Sequence, residues 1–195
     1  MSMSLKLEKI NNGEVYYDAS FMDESAAWDF FQLLKAEINW GQEYLKMYGK
    51  VIAFPRLTAW YGDEGKSYRY SGVTRAPLPW TEALLGLRKR IEMDLGIACN
   101  SVLLNYYRDG NDSMSWHADD EVELGINPII VSLNLGSARK FQIKHKFTGE
   151  RRDFILEHGS LFIMAGEMQH FWKHQLPKTK KQVGERINLT FRFVI

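Results

Sequence analysis

His117-Ala118-Asp119 sets an imidazole and a carboxylate two residues apart. On an extended segment residues at that spacing point the same way, so both can reach a common ion. A third donor from a distant strand would complete a two-histidine, one-carboxylate face. That set suits non-haem Fe(II), because it leaves coordination positions open. His174 is the candidate. His170 is a minor alternative, sharing a face with Trp172 and His174 if FWKHQLP is extended. His158, ahead of a Gly-Ser turn, reads as a structural hydrogen-bonder, and His145 as a surface residue.

A second chemical feature lies at residues 186–193. Ile187, Leu189, Phe191 and Phe193 alternate with Arg186, Asn188, Thr190 and Arg192, as a half-buried strand should. Two guanidiniums and an amide on one strand face look outward to water in most proteins. Beside a metal face they would instead form a receptor for an anion: a fixed, planar, permanently charged arginine holds a carboxylate more rigidly than lysine does.

These groups need a scaffold, and the chain supplies two kinds of element. From Asp23, a plausible N-cap, Ala27, Phe30, Phe31, Leu34 and Ile38 recur at helical spacing to about Asn39. A second helix follows Pro77 and Pro79, from about Thr81 to Leu95, with Leu84, Leu87, Ile91 and Leu95 on one face and Gly96 placed to stop it. Beyond Gly96 short β-rich runs take over, at 101–107, 129–135, 140–143, 152–156, 160–164 and 186–193. Many short strands without intervening helices predict an α+β, mainly β fold: antiparallel sheets packed as a sandwich or jelly roll, with two helices on one sheet. Residues 1–20 are weakly patterned, with one candidate strand at Val15–Tyr17, and no linker or repeat marks a boundary, so 1–195 reads as one domain.

Composition agrees with a globular chain, at 45% hydrophobic and 25% charged residues. A net charge of +1 gives no global attraction to a polyanion, so any nucleic-acid contact must come from a local basic face. With Cys99 alone, neither an intrachain disulfide nor a cysteine zinc cluster can form. No apolar run approaches the roughly 20 residues of a bilayer span, and MSMSLKLEKI lacks a signal sequence's apolar region. The expectation is no membrane association, a cytoplasmic chain (nuclear in a eukaryote) and a monomer.

Five blocks in order, Asn105-Tyr106-Tyr107-Arg108-Asp109-Gly110, His117-Ala118-Asp119-Asp120-Glu121, His158-Gly159-Ser160-Leu161, His174-Gln175-Leu176-Pro177 and Arg186 to Arg192, resemble the AlkB-type Fe(II)/2-oxoglutarate dioxygenases. The resemblance runs from about Met47 to Ile195 and is nearest the duplex-DNA-acting animal-type members. It implies a double-stranded β-helix, with a nucleotide-recognition lid and helices in about 1–100 and the catalytic core in about 101–195. It also implies Fe(II) on His117, Asp119 and His174, with 2-oxoglutarate as cosubstrate and O2 as oxidant. Arg186 would anchor the distal carboxylate, Asn105 and Tyr107 would hydrogen-bond the cosubstrate, and Arg192 with Asn188 would close its pocket. The implied reaction oxidises 2-oxoglutarate to succinate and CO2 and hydroxylates an N-methyl group. Formaldehyde and the repaired base result.

For the substrate, alkylated DNA with RNA as the alternative, the resemblance implies a flipped base stacked on Tyr70 and walled by His117. Tyr68, Ser71, Asp120, Glu121 and Arg56 would line that pocket. Tyr48, in Met47-Tyr48-Gly49-Lys50, matches a wedge that enters the base stack, with an ordinary turn as the other reading. Lys50, Arg56, Lys140, Lys178, Lys180 and Lys181 could meet phosphates. Two further readings stay open: the same chemistry on RNA, protein or a small molecule, and a non-catalytic nucleic-acid-binding relative.

Overall fold

The computed structural model describes residues 5–47, 49–66, 68–70 and 73–195. In chain order the elements are β1 (Lys6–Ile10), β2 (Gly13–Asp18), α1 (Glu24–Glu37), β3 (Gly41–Met47), β4 (Lys50–Gly62), β5 (Tyr68–Tyr70), β6 (Val73–Arg75) and α2 (Glu82–Leu95). There follow β7 (Ser101–Tyr107), β8 (Met114–His117), β9 (Ile130–Gly136), β10 (Arg139–His145), β11 (Arg151–Leu156), β12 (Ser160–Ala165), α3 (Met168–Phe171), β13 (Trp172–Leu176) and β14 (Arg186–Arg192).

An eight-stranded antiparallel sheet runs β1-β2-β12-β9-β14-β7-β4-β3, and a four-stranded one runs β11-β10-β13-β8. The larger sheet has a different layer on each face. Outward, Val102, Leu104, Leu133, Ile187, Leu189 and Phe191 meet Ala27, Phe31 and Leu34 of α1 and Leu84, Leu87 and Ile91 of α2. Inward, Ile130, Phe162 and Met164 meet Ile143, Leu156 and Trp172 of the smaller sheet. Each such buried Val, Leu, Ile, Phe or Met side chain contributes about 1.5–3 kcal/mol against conformational entropy. This is the expected jelly roll with two helices packed on one sheet.

Both long helices start and stop on local chemistry. Asp23 accepts the Ala26 N–H at 3.0 Å and Thr81 the Leu84 N–H at 3.3 Å. Gly96, at φ 67°, closes α2 in the left-handed region that glycine enters without steric cost. The amino-terminal chain contributes more sheet than its weak patterning predicts, since β1 to β4 all join the larger sheet. The short α3 is also unexpected. Among the described residues no helix is long and apolar enough to cross a membrane.

Strand β14 is central, hydrogen-bonded to β7 and β9 and buried along its whole length. A strand covered on both faces cannot send a polar face to water. Its four inward polar side chains must therefore find partners inside the fold.

Candidate functional site

Register brings the inward polar residues of β14 against matching ones. Asn188 lies opposite Asn105 of β7 and Asn134 of β9, and Arg186 lies opposite Tyr107 and Gly136. The Asn188 amide donates to Ser132 Oγ at 2.7 Å and accepts from Thr190 Oγ1 at 3.1 Å. Asn134 Oδ1 accepts from the Arg186 guanidinium at 2.5 Å. Gly136, at φ 87°, is needed because a Cβ there would sit 2.4 Å from the Glu185 carbonyl oxygen, at the root of β14.

The histidines come from the facing sheet. His117 on β8 is paired directly with His174 on β13, and the ring centroids are 4.1 Å apart. Asp119 follows two residues past His117, and one ligand atom from each of the three lies within 4.8 Å of the others. His117 Nδ1 is 2.8 Å from the Ser115 carbonyl oxygen; as donor there, it leaves Nε2 as the lone-pair nitrogen. Asp119 Oδ1 accepts from Arg192 at 2.9 Å, while Oδ2 stands 4.0 Å from His174 Nε2. One carboxylate oxygen is thus held by the protein and the other faces the imidazoles.

Electrostatics keep these groups in metal-binding form. Burial alone would raise the Asp119 carboxyl, but Arg192 and the two histidines outweigh it and hold it at about 2. For His174, burial and the neighbouring His117 push the imidazole down to about 3, so it stays neutral, the form that ligates. This folded value lies below the ordinary 6.5, so across that window the unfolded chain binds a proton that the folded one does not. The metal-free protein should therefore lose stability as pH falls from about 6.5 toward 3. In His174→Gln the urea midpoint should vary less between pH 7 and pH 5. An unchanged slope would place the acid sensitivity elsewhere.

Arg186 is 2% exposed, and among the described residues no carboxylate pairs with it. Its Nε has no partner, and the Tyr107 ring lies 5.2 Å from the guanidinium carbon. Burial and the nearby Arg139 lower it to about 10, still protonated at neutral pH. A buried cation facing a cavity lined by His117, Asp119 and His174 could hold an anion there. A second, larger cavity of about 250 Å³ adjoins it, lined by Arg56, Thr58, Trp60, Leu103 and Leu124, with Arg192 in both walls.

The residues expected to serve a substrate are placed unevenly. Glu121 keeps one buried carboxylate oxygen without a partner. Asp120 takes a 3.1 Å ion pair from Lys146. Arg56 is 3% exposed and donates from Nε to Asn105 Oδ1 at 2.8 Å, so it lies within the wall between the cavities rather than on the surface. Tyr48 and Ser71 lie outside the described residues, as do the side chains of Tyr68 and Tyr70. Lys140 pairs with Asp153.

Two histidine assignments need correction. His145 is buried rather than superficial, accepting the Phe147 and Thr148 N–H groups through Nδ1. His170 belongs to α3, not to an extended run, and is exposed, so it does not share the inward face of Trp172 and His174. The sequence reading missed Ser132, Asn134, Arg139, Lys146 and Gln169. Arg139 donates to the carbonyls of Asp109, Asp112 and Pro177, tying together the loops that flank β8 and β13.

The family model described as the 2OG-Fe(II) oxygenase superfamily matches residues 14–192. The alpha-ketoglutarate-dependent dioxygenase alkB homolog 3 of Rattus norvegicus is 40% identical over 184 residues, covering 89% of this chain and 62% of the relative. The DNA oxidative demethylase ALKBH2 of Homo sapiens is 36% identical over 178 residues, covering 86% of this chain and 68% of the relative. The chain spans somewhat under two thirds of the length of the alkB homolog 3 relatives it matches. In fold, the solved structure of OsALKBH1 superposes with a TM-score of 0.63 at 16% identity, covering 96% of this chain and all of that one.

Proposed function

Because the chain belongs to the 2OG-Fe(II) oxygenase superfamily, in its AlkB-type branch, we propose that it oxidatively demethylates N-alkylated bases of DNA, 1-methyladenine and 3-methylcytosine. One observation carries the reading: a buried arginine with no carboxylate partner among the described residues stands beside a His-Asp-His cluster in a single cavity. Fe(II) and 2-oxoglutarate, when bound, would supply the means to activate O2, the oxidant: the diacid gives up two electrons, loses CO2 and takes one oxygen atom as succinate, and the other oxygen atom enters the N-methyl C–H bond. His117, Asp119 and His174 would hold the metal on one face. Arg186 would grip the distal carboxylate bidentately, and Arg192 would keep Asp119 turned toward the iron.

The larger cavity is where the substrate belongs. A ring nitrogen on a base's pairing edge is inaccessible in a duplex, so the nucleotide must be extruded or single-stranded. On the outer face of the smaller sheet Lys144 sits opposite both Lys173 and Arg151. Like charges directly opposite are destabilising, and a phosphate backbone laid across them would relieve that.

The β3–β4 hairpin supports action on duplexes, since Tyr44, Val51 and Ile52 are apolar and exposed there. The Val51→Ser, Ile52→Ser double variant should lose several times more activity on duplex than on single-stranded DNA. Equal losses would remove the hairpin from strand separation. The function itself is tested by loading the purified chain anaerobically with Fe(II) and 2-oxoglutarate, then admitting O2 with methylated DNA, methylated RNA or unmethylated DNA. Formaldehyde should appear with methylated DNA. Release with RNA alone would move the substrate, and release with neither would defeat the proposal.

A further inference from the structure

The two histidines of the cluster sit in paired strands whose ladder fixes them, but Asp119 lies beyond the end of β8, where no ladder holds its backbone. Its N–H goes instead to a side chain. Gln169 of α3 accepts it through Oε1 at 3.0 Å. The amide orientation follows from this bond, because a flipped NH2 would face the N–H donor to donor. Gln169 is fully buried, and among the described residues its Nε2 finds only the Met164 thioether sulfur, at 3.8 Å. A dehydrated amide with so weak an acceptor is costly, and an apolar side chain of similar length would fill the space at less cost.

We infer that Gln169 is a positioning residue for the metal-binding carboxylate, standing in for the missing ladder partner of Asp119. With Gln169 on the backbone and Arg192 on Oδ1, Asp119 is fixed at two points and Oδ2 keeps its aim between the histidines. Lys146 reinforces the arrangement. Its ammonium donates to the Gln169 carbonyl at 2.8 Å and to Asp120 Oδ2 at 3.1 Å, and its N–H donates to the Phe171 carbonyl at 2.7 Å. The turn carrying Gln169 and the loop carrying Asp119 therefore move as one unit.

The inference rests on reading the cluster as the iron site, so the test separates the two. Co(II) is titrated into metal-free wild type, His174→Ala, Gln169→Met and Gln169→Glu, reading affinity and the d–d absorption bands, with thermal midpoints measured alongside. Gln169→Met should weaken Co(II) binding by about ten- to a hundredfold and alter the band pattern, as loss of an orienting partner does. Gln169→Glu, which keeps an oxygen at the same reach, should restore affinity to within about threefold of wild type. Should Gln169→Met not fold, Gln169→Asn withdraws the oxygen by one carbon with less change of volume and should show the same loss. Unchanged affinity and bands in Gln169→Met, or equal losses in Gln169→Met and Gln169→Glu, would overturn the positioning role. Equal Co(II) binding by wild type and His174→Ala would overturn the iron-site reading and this inference with it.

Discussion

His174→Ala should release no formaldehyde from methylated DNA, a loss of more than about a hundredfold, while remaining folded. The remaining His117 and Asp119 supply two donors where the facial set needs three, so metal affinity and geometry fall together. The fold should survive. The imidazole is buried, but its neighbour Phe141, with ring centroids 5.5 Å apart, bounds a cavity that costs about 2–4 kcal/mol. Removing a histidine that resists protonation also takes away an acid-sensitive group. Formaldehyde release, bound metal per chain and thermal midpoint, measured on one preparation, separate the outcomes. Retained release with normal metal content would mean that another residue completes the cluster.

How far such a site can be seen in advance depends on whether its cause is local. The caps at Asp23 and Gly96 are properties of a few adjacent residues, and both were legible; Thr81, read as the start of its helix, proves to be the cap. Strand β14 was legible too, because its polar-apolar alternation spans the whole element. Its partner β9 carries a similar alternation in Ser132-Leu133-Asn134-Leu135, but nothing local to that run singles out the amide that receives Arg186. His145 was read as superficial and the strand as ending at 143; the strand runs on to His145, and the period of two through Ile143 places it inward. Asn12-Gly13, the last turn residue and first strand residue of the β1–β2 hairpin, was a turn signal left unread; Asn12 takes φ 54° there. Gln169 had no local signature at all. Its meaning comes from meeting Asp119 across fifty residues of chain, and only the folded structure brings the two together.

Arg186→Met should raise the KM for 2-oxoglutarate by at least about a hundredfold and yet leave the metal-free protein as stable as wild type, or more stable. Both effects come from the same fact. A guanidinium buried to 2% exposure, with no carboxylate partner among the described residues, is desolvated at a cost that the Asn134 amide oxygen and Tyr107 offset only in part. An unbranched apolar side chain of similar length removes the charge while filling most of the space. On the proposed reading the wild-type protein tolerates this cost because the cosubstrate's carboxylate would supply the missing anion, a charge-assisted pair in a site shielded from water. Metal with 2-oxoglutarate should therefore raise the thermal midpoint of the wild type well above that with metal alone, and the variant should lose this increment. Arg186→Lys should fall between, keeping the charge but not the planar fork. An unchanged KM in Arg186→Met, or a variant that unfolds, would show that this cation serves the protein's own interior rather than a bound diacid.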